Sequence, residues 1–407
     1  MFLLLDLLYL FALPFLLLIS MRSRLRGHPP RKGAAERLGI GKTLDDQTNP
    51  ILIHAVSVGE VNAIRNLVKT IEEDGYKLVI SVTTDTGIKR AIELFANSHT
   101  VVRYPLDFSW SVNNFLRRIK PSLIILVELE VWPNMLRFAT KKNIPVVVVN
   151  GRLTDRSYKR YKLVSCLLRS TFERLSIVGM QHKSYAKKVS SLGAKDVQVL
   201  GTMKWDNAII QDSVNGAIEL ANNLRIDLNK PLIVAGSTTP EEHRLLLNAI
   251  PSEVQLLVVP RRPEWFDDAE EVFSPCNRKT HSERLDSRFF VLDTIGDLTA
   301  AYSLATIVVI GRSFAPLHGS DPTEPIALGK PTIVGPNMSD FPDITHAFLK
   351  ANGIVQCTTG ELKNSIQRLL TDQVLCTTLV NNGREVIASH QGATRRYAQL
   401  IKEVMQA

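Results

Sequence analysis

Three carboxylates stand where a turn of backbone would present them to a ligand. Glu60 closes the tetrapeptide Ser57-Val58-Gly59-Glu60, where an apolar run gives way to a helical pattern, and Glu128 and Glu130 sit in VELEVWPN (127–134) at the end of another apolar run. A carboxylate within hydrogen-bond reach of a hydroxyl can accept its proton as a new bond forms, which is general-base chemistry. Gly59 would let a substrate or another chain approach the backbone closely. A second reading of Glu60 stays open, because the helix macrodipole favours any acid in a first turn. Glu128 and Glu130, two apart on an extended chain, point to one side while Leu129 points away. They serve a site there, or one of them pairs with Arg152 or Arg156.

The remaining chemistry suits phosphate. NGRLTDRSYKRY (150–161), continued by Lys162 and Arg169, carries six basic residues from Arg152 to Arg169 interleaved with Tyr158 and Tyr161. Such a run fits phosphate, anionic lipid, or a plain solvated helix face. GSTTPEEH (236–243) takes Ser237 and Thr238 from a strand to a helix start, where free backbone amides bind phosphate well. VPRRPEWF (259–266) puts Arg261 and Arg262 just past a strand, and GRSFAPLHGSDPTEPIALGKPTIVGP (311–336) holds a Gly-containing loop before Pro322-Thr323-Glu324-Pro325 opens a short helix. A nucleoside mono- or diphosphate suits these loops, although neither GxxxxGK[ST] nor GxGxxG occurs.

The elements that must position these residues form a regular series. ILIHAV (51–56), KLVISV (77–82), LIILV (123–127), PVVVVN (145–150), LSIVGM (175–180) and VQVL (197–200) are apolar and mostly β-branched, as strands buried on both faces are. Between them lie helical patterns; in EVNAIRNLVKTIEEDG, Val61, Ile64, Leu67, Val68 and Ile71 share one face and Gly75 supplies the stop. After a polar section at about 203–230 the series restarts with PLIVAGS (231–237), VQLLVVP (254–260), RFFVL (288–292), TIVVIG (306–311) and PTIVGP (331–336). The expectation is two Rossmann-like α/β halves joined near residue 205, with ligands at the carboxyl ends of the strands and the cleft between the halves as the default site.

Composition bounds the setting. The 407 residues, 45% apolar and 22% charged, suffice for two domains, and a formal charge of +9 with a pI near 9.3 calls for an anionic partner. Four scattered cysteines without a CxxC pair exclude a disulfide framework or a structural zinc site as the organising feature. The basic residues cluster beside the amino terminus and no nucleic-acid module is recognisable, so nucleic acid is not expected as a partner. The run from Phe2 to Ser20, 19 residues broken only by Asp6 and Pro14, is followed by Arg22, Arg24 and Arg26. Its charges lie after the apolar stretch and no cleavage site follows, so it reads as an uncleaved anchor, spanning or lying in the interface, with the rest of the chain in the cytoplasm.

SVGEV, ELEVWPN, NGRLTDRSY, GTMKWD, GSTTPEE, VPRRPEWF, LDTIGDL and PTEPIALGKPTIVGP occur in an order that resembles the 3-deoxy-D-manno-octulosonic acid (Kdo) transferases of lipopolysaccharide assembly. The resemblance covers nearly the whole chain, including the RKGAAERLG segment (31–39). It implies a metal-independent, inverting glycosyltransferase of the GT-B fold, two Rossmann-like domains facing a central cleft, that moves Kdo from CMP-Kdo to the lipid A precursor at the inner membrane and needs no further cofactor. The domains would be an anchor and basic flank (1–27), an acceptor domain (28–205) and a CMP-sugar domain (206–407). Glu60 matches the family's general base. Ser57, Gly59, Glu128, Glu130, Arg152 and Arg156 fall to the acceptor or the cleft. Arg261 and the amides around Gly319, Ser320 and Asp321 fall to phosphate, Glu324 to the ribose hydroxyls, and Lys204, Ser237, Thr238, Arg262, Gly296 and Arg312 complete the donor set. A phosphorylated lipid acceptor also accounts for the positive charge. The sequence departs from the family pattern at Gly311-Arg312-Ser313, at His318-Gly319-Ser320-Asp321 and at Arg262. Another nucleotide sugar as donor, or a non-catalytic membrane-tethered binder, are the alternatives.

Overall fold

The apolar runs become two parallel sheets. The computed structural model describes residues 6, 9–11, 22, 33–41, 43–44, 49–282 and 285–406. The chain divides into two compact units, Met1–Asn207 with Gly392–Ala407, and Ala208–Gln391.

The first unit holds seven strands, β1 (Ile51–Ala55), β2 (Leu78–Val82), β3 (Thr100–Arg103), β4 (Leu123–Val127), β5 (Val146–Gly151), β6 (Ile177–Met180) and β7 (Val197–Val199), in the order β3-β2-β1-β4-β5-β6-β7. Every pairing is parallel, with His54 opposite Ser81 on one side and Leu126 on the other. Side-chain alternation then sends Ile51, Ile53 and Ala55 into one core and Leu52 into another, so both faces are covered. The strand order reverses direction between β1 and β4, and such a switch point opens a crevice at the strands' carboxyl ends.

The second unit repeats the plan with β8 (Leu232–Thr238), β9 (Gln255–Pro260), β10 (Asn277–Arg278), β11 (Phe289–Val291), β12 (Ile307–Ile310), β13 (Thr332–Val334) and β14 (Val355–Gln356), ordered β10-β11-β9-β8-β12-β13-β14 and again wholly parallel. Its switch point lies between β8 and β12. Both units are parallel-sheet α/β domains of the kind that make up the GT-B fold.

The structure departs from the sequence reading in three places. The edge strands β3, β10 and β14 are too short, or too exposed on one side, to stand out as apolar runs. The last helix, Ala393–Gln406, assigned from the sequence to the second domain, belongs to the first. Tyr397, Leu400 and Ile401 are buried against Ile64, Leu67, Val68 and Ile71, and Asp206 accepts the Gly392 and Thr394 amides at 2.6 and 2.5 Å to cap its start. The chain therefore changes units at 207–208 and again at 391–392, which a linear division at 205 does not anticipate. Most of the predicted anchor, 2–20, lies outside the described residues; among those described, no helix is long and apolar enough to cross a membrane.

Candidate active site

In the first unit the switch point gathers the three carboxylates. Glu60 follows β1, and Glu128 and Glu130 follow β4, the two strands that flank the reversal. Ser57 is the N-cap of helix Val58–Ala63, and its hydroxyl oxygen accepts the Glu60 N–H at 3.4 Å. The Glu60 carboxylate folds back over the same turn: Oε2 accepts the Val56 N–H at 2.8 Å and Oε1 accepts the Ser57 hydroxyl at 3.0 Å. Serine and glutamate at this spacing are a helix-start signature, so Glu60 has a structural partnership as well as a chemical position.

Electrostatics separates Glu60 from an ordinary cap. It is 8% exposed, and burial pushes its carboxyl from 4.5 up to about 7, with the charges of Glu128 and Glu130 adding to the rise against the bonds from Val56 and Ser57. Burial also raises Glu128, opposed by the charges of Lys204 and Arg152, and it raises Glu130, with Glu128 adding. Paired groups that lift a carboxyl to neutrality are how a site keeps a base ready at working pH. Gly59 is exposed at the same turn, where an added Cβ would meet only the Ser57 hydroxyl, at 3.7 Å.

The route to that cluster differs from the sequence expectation. Glu128 and Glu130 do not lie on an extended strand: β4 ends at Val127, and Glu128 takes φ 58 while its N–H donates to the Val149 carbonyl. Leu129, expected to point away from the two carboxylates, is buried. Arg152 is half-buried near Glu128, whereas Arg156 is exposed on helix Asp155–Leu163, which buries none of its residues. Lys204, assigned from the sequence to the donor, belongs to the first unit, where its charge acts on Glu128.

Two further residues of this unit escaped the sequence reading. Tyr104, directly after β3, is 3% exposed, stacks on buried His54 at 3.7 Å between ring centroids, and leaves its hydroxyl without a partner among the described residues. Asn150, at the end of β5, takes φ 54; its Oδ1 accepts the Met203 N–H at 3.1 Å while its amide nitrogen has no partner among the described residues. A buried, unpaired donor costs free energy, so such atoms at strand ends point to a polar ligand. An asparagine closing the apolar run PVVVVN was the available signal for the second.

In the second unit the donor residues collect at the carboxyl ends of β8, β9 and β12. Ser237 (φ 60) and Thr238 end β8, and Gly311 follows β12 so closely that a Cβ there would lie 2.4 Å from the Ser237 carbonyl. Arg261, exposed beyond β9, donates its backbone N–H to the Thr238 carbonyl at 3.0 Å, and the exposed Arg262 lies over the Trp265 ring. Tyr302 is buried among the charges of Glu324, Asp321 and Arg261, with Glu324 the strongest influence after burial itself. Glu324 is lifted above the ordinary carboxyl range by burial and accepts the Thr299 hydroxyl at 2.5 Å. Gly296, φ 110, stands in open space beside Ile295, which is 87% exposed.

Several predicted phosphate contacts turn out to be occupied. Glu242 caps helix Pro240–Ala249 from its third position, accepting the Thr239 N–H at 3.1 Å, and it reaches across to accept Arg312 N–H at 2.8 Å and Phe314 N–H at 3.0 Å. The helix start that the sequence offered to phosphate is thus partly filled by the protein's own carboxylate, which ties the loop 311–314 to β8. The T-x-x-E spacing of Thr239 and Glu242 was its signal. Thr238 shares its hydroxyl with His243 Nε2 at 3.1 Å, and His243 Nδ1 with Asp268 at 2.7 Å. Gly319 N–H donates to the Arg312 carbonyl. Asp321 turns onto the Thr323 N–H at 2.9 Å and its hydroxyl at 2.6 Å, so its charge caps helix Thr323–Ala327, while Arg312 reaches the Leu317 carbonyl and lies 3.8 Å from Asp340. Ser320 is 9% exposed, and its hydroxyl has no partner among the described residues.

Comparison with known proteins converges on one family. Residues 32–207 match the family 3-Deoxy-D-manno-octulosonic-acid transferase (kdotransferase). The chain is 30% identical over 396 residues to 3-deoxy-D-manno-octulosonic acid transferase of Haemophilus influenzae, covering 92% of each chain. It is 27% identical to the enzyme of the same name from Bordetella pertussis, covering 87% of each. Among solved structures, Anabaena HepE in complex with UDP is similar in fold, with a TM-score of 0.58, 14% identity, and coverage of 88% of this chain and all of that one.

Proposed function

The chain belongs to the 3-deoxy-D-manno-octulosonic acid transferase family and is a glycosyltransferase, and from that premise we propose that it moves Kdo from CMP-Kdo to a hydroxyl of an anionic lipid A precursor, with Glu60 as the general base. The observation that carries the assignment is the carboxyl of Glu60, buried at the β1–β4 switch point and raised to about 7. At that pKa it is charged often enough near neutral pH to accept a proton and basic enough to hold it.

In the proposed reaction the acceptor oxygen attacks the anomeric carbon of Kdo and loses its proton to Glu60 as the bond to CMP phosphate breaks, inverting the centre. Charge gathers on the departing phosphate, and fixed donors aimed at it stabilise the transition state. In the second unit Arg261 and the unpartnered Ser320 hydroxyl support that role, Glu324 and Gly296 support the nucleoside, and the reading takes no metal. In the first unit Arg152 and Lys204 beside Glu128 support an anionic acceptor. The apolar amino-terminal run and the six Lys or Arg from Arg22 to Arg37 support attachment to the inner membrane with both units in the cytoplasm.

Mass spectrometry of the product formed from CMP-Kdo and a tetra-acylated lipid A precursor tests this directly. A mass gain of one or more Kdo residues, lost in Glu60→Gln and retained with a chelator present, is the expected result. Transfer from a UDP-sugar instead, or undiminished transfer by Glu60→Gln, overturns it.

A further inference from the structure

In the second unit a cavity of about 530 Å³ lies at the carboxyl ends of β12, β13 and β14. Its walls are Pro316 and His318 after β12, the segment 336–339 after β13, helix Pro342–Lys350, and Gln356 at the end of β14. These walls are tied together. The Asn337 N–H donates to the Ser313 carbonyl at 2.9 Å, the Asp340 N–H donates to the His318 carbonyl at 3.0 Å, and His318 Nδ1 lies 2.7 Å from the Ser339 hydroxyl oxygen. The cavity is therefore formed before any ligand arrives, and its size is that of a small-molecule site.

Its lining suits a sugar better than a phosphate. Among the described residues no Asp, Glu, Lys or Arg lines it; imidazoles, side-chain amides and hydroxyls stand between Met338, Leu349 and three prolines. Hydroxyl groups on a carbon ring match such walls, whereas a phosphate would find no Lys or Arg to meet it. Thr345 points to a ligand more sharply. It is 4% exposed on helix Pro342–Lys350, it lines the cavity, and its hydroxyl has no partner among the described residues. Elsewhere in the chain the helical threonines Thr70, Thr140, Thr371, Thr377 and Thr378 donate to the carbonyl four residues back, at 2.8–3.0 Å. Thr345 forgoes that bond, and a buried unpaired hydroxyl costs free energy that a ligand hydroxyl would recover.

Strand order sets this cavity beside the donor residues. Gly296, Arg261 and Ser237 stand at the carboxyl ends of β11, β9 and β8, on one side of β12, and the cavity reaches across β13 and β14 on the other. The loop after β12 serves both sides, with Pro316 and His318 on the cavity and Ser320 among the donor residues. From β9 to β13 is three strand steps, about 14 Å, a distance that a nucleoside monophosphate can occupy. We infer that the cavity takes the hydroxyl-bearing end of the transferred sugar, and that Thr345 is a specificity-determining residue for it. The inference rests on CMP-Kdo as the proposed donor and assigns its parts. Kdo carries its carboxylate and its link to phosphate on one carbon, so the carboxylate stays beside the phosphate at Arg261. The ring hydroxyls and the terminal diol, at the other end of the sugar, enter the cavity. A site built to hydrogen-bond a hydroxyl rejects a donor that lacks one there.

Isothermal titration calorimetry of the full chain, with CMP and with a non-hydrolysable phosphonate analogue of CMP-Kdo, tests it. The parent should bind the analogue more tightly than CMP. Thr345→Val keeps the shape and removes the hydroxyl; it should weaken the analogue about 5- to 30-fold and leave CMP unchanged, and Thr345→Ser should restore most of the loss. Equal weakening of both ligands would show that Thr345 acts only through the fold of the unit, and an unchanged analogue would show that the sugar lies elsewhere. Either result overturns the inference while the donor assignment stands. A parent that binds UDP but not CMP overturns the donor assignment, and the inference with it.

Discussion

Replacing Glu60 by glutamine separates a poised base from a helix cap, because the two roles differ in their dependence on pH. The carboxyl goes from 4.5 in an unfolded chain to about 7 in the folded one, chiefly through burial. A raised acid pKa means that the folded chain keeps a proton that the unfolded chain has released. The stability linked to this group is present in full below pH 4.5 and is lost as pH rises to 7. The whole loss is about 3 kcal/mol, and most of it falls between pH 5 and pH 8. Glutamine cannot titrate, so Glu60→Gln escapes the loss. It also gives up one of the two accepted bonds, from Val56 N–H or the Ser57 hydroxyl, at a cost of about 1 kcal/mol that is the same at every pH. The stability of Glu60→Gln relative to the parent should therefore climb by about 2.5 kcal/mol from pH 5 to pH 8 while transfer is abolished. Urea unfolding followed by tryptophan fluorescence measures it, since three of the four tryptophans, Trp110, Trp132 and Trp205, report on the first unit. A difference that does not move with pH would mean that Glu60 titrates like any surface carboxylate, and the argument for a base tuned by burial would fail.

Glu128→Gln removes a charge that helps to raise Glu60, so the acid limb of kcat/KM should move to lower pH and the ratio of activity at pH 6 to that at pH 8 should rise; an unmoved limb would show that the two carboxylates do not interact. Arg261→Ala deletes a charge-assisted partner for phosphate and should raise the KM for CMP-Kdo about 10- to 100-fold with little effect on thermal stability, read by steady-state kinetics and circular dichroism. Glu242→Ala leaves the Thr239, Arg312 and Phe314 N–H groups unpaired and should destabilise the second unit by at least about 3 kcal/mol, visible as an early transition at Trp265. A melt like that of the parent would show that water replaces the carboxylate at no cost.

The fold was legible because a doubly covered parallel sheet writes itself as apolar, β-branched runs at regular intervals. β1, β2, β4, β5, β8, β9 and β12 lie within a residue or two of the runs read for them. The order of the strands was not legible, and the order is what brings Glu60 and Glu128 together: β1 and β4 are neighbours although 67 residues, including two other strands, separate the end of β1 at Ala55 from the start of β4 at Leu123. Helix Ala393–Gln406 shows the other limit. Its amphipathic face is plain in Tyr397, Leu400 and Ile401, but a face does not name the core that it covers, and Asp206, which anchors it to the first unit, looks in sequence like one more polar residue of a linker.

At the site the difficulty lies in the backbone. Five non-glycine residues at strand ends or in the loops after them, Glu128, Asn150, Ser237, Arg312 and His318, adopt φ between 54° and 70°, a conformation that L-residues occupy only when their surroundings hold them there. Arg312 shows what that requires. In the sequence, Gly311-Arg312-Ser313 is one of the departures from the family pattern. The structure keeps the turn: Arg312 N–H is tied to Glu242, its carbonyl to Gly319 N–H, and its guanidinium to the Leu317 carbonyl. Contacts of about 1 kcal/mol each suffice to offset a left-handed residue costing about 1–3 kcal/mol. A glycine at this position would be free to make the turn; the arginine makes it under restraint, and Glu242 is the restraint. The loop chemistry thus passes from a residue type to a hydrogen-bond network spread over 70 positions, from Glu242 to Arg312, and no local pattern in the sequence spans that distance.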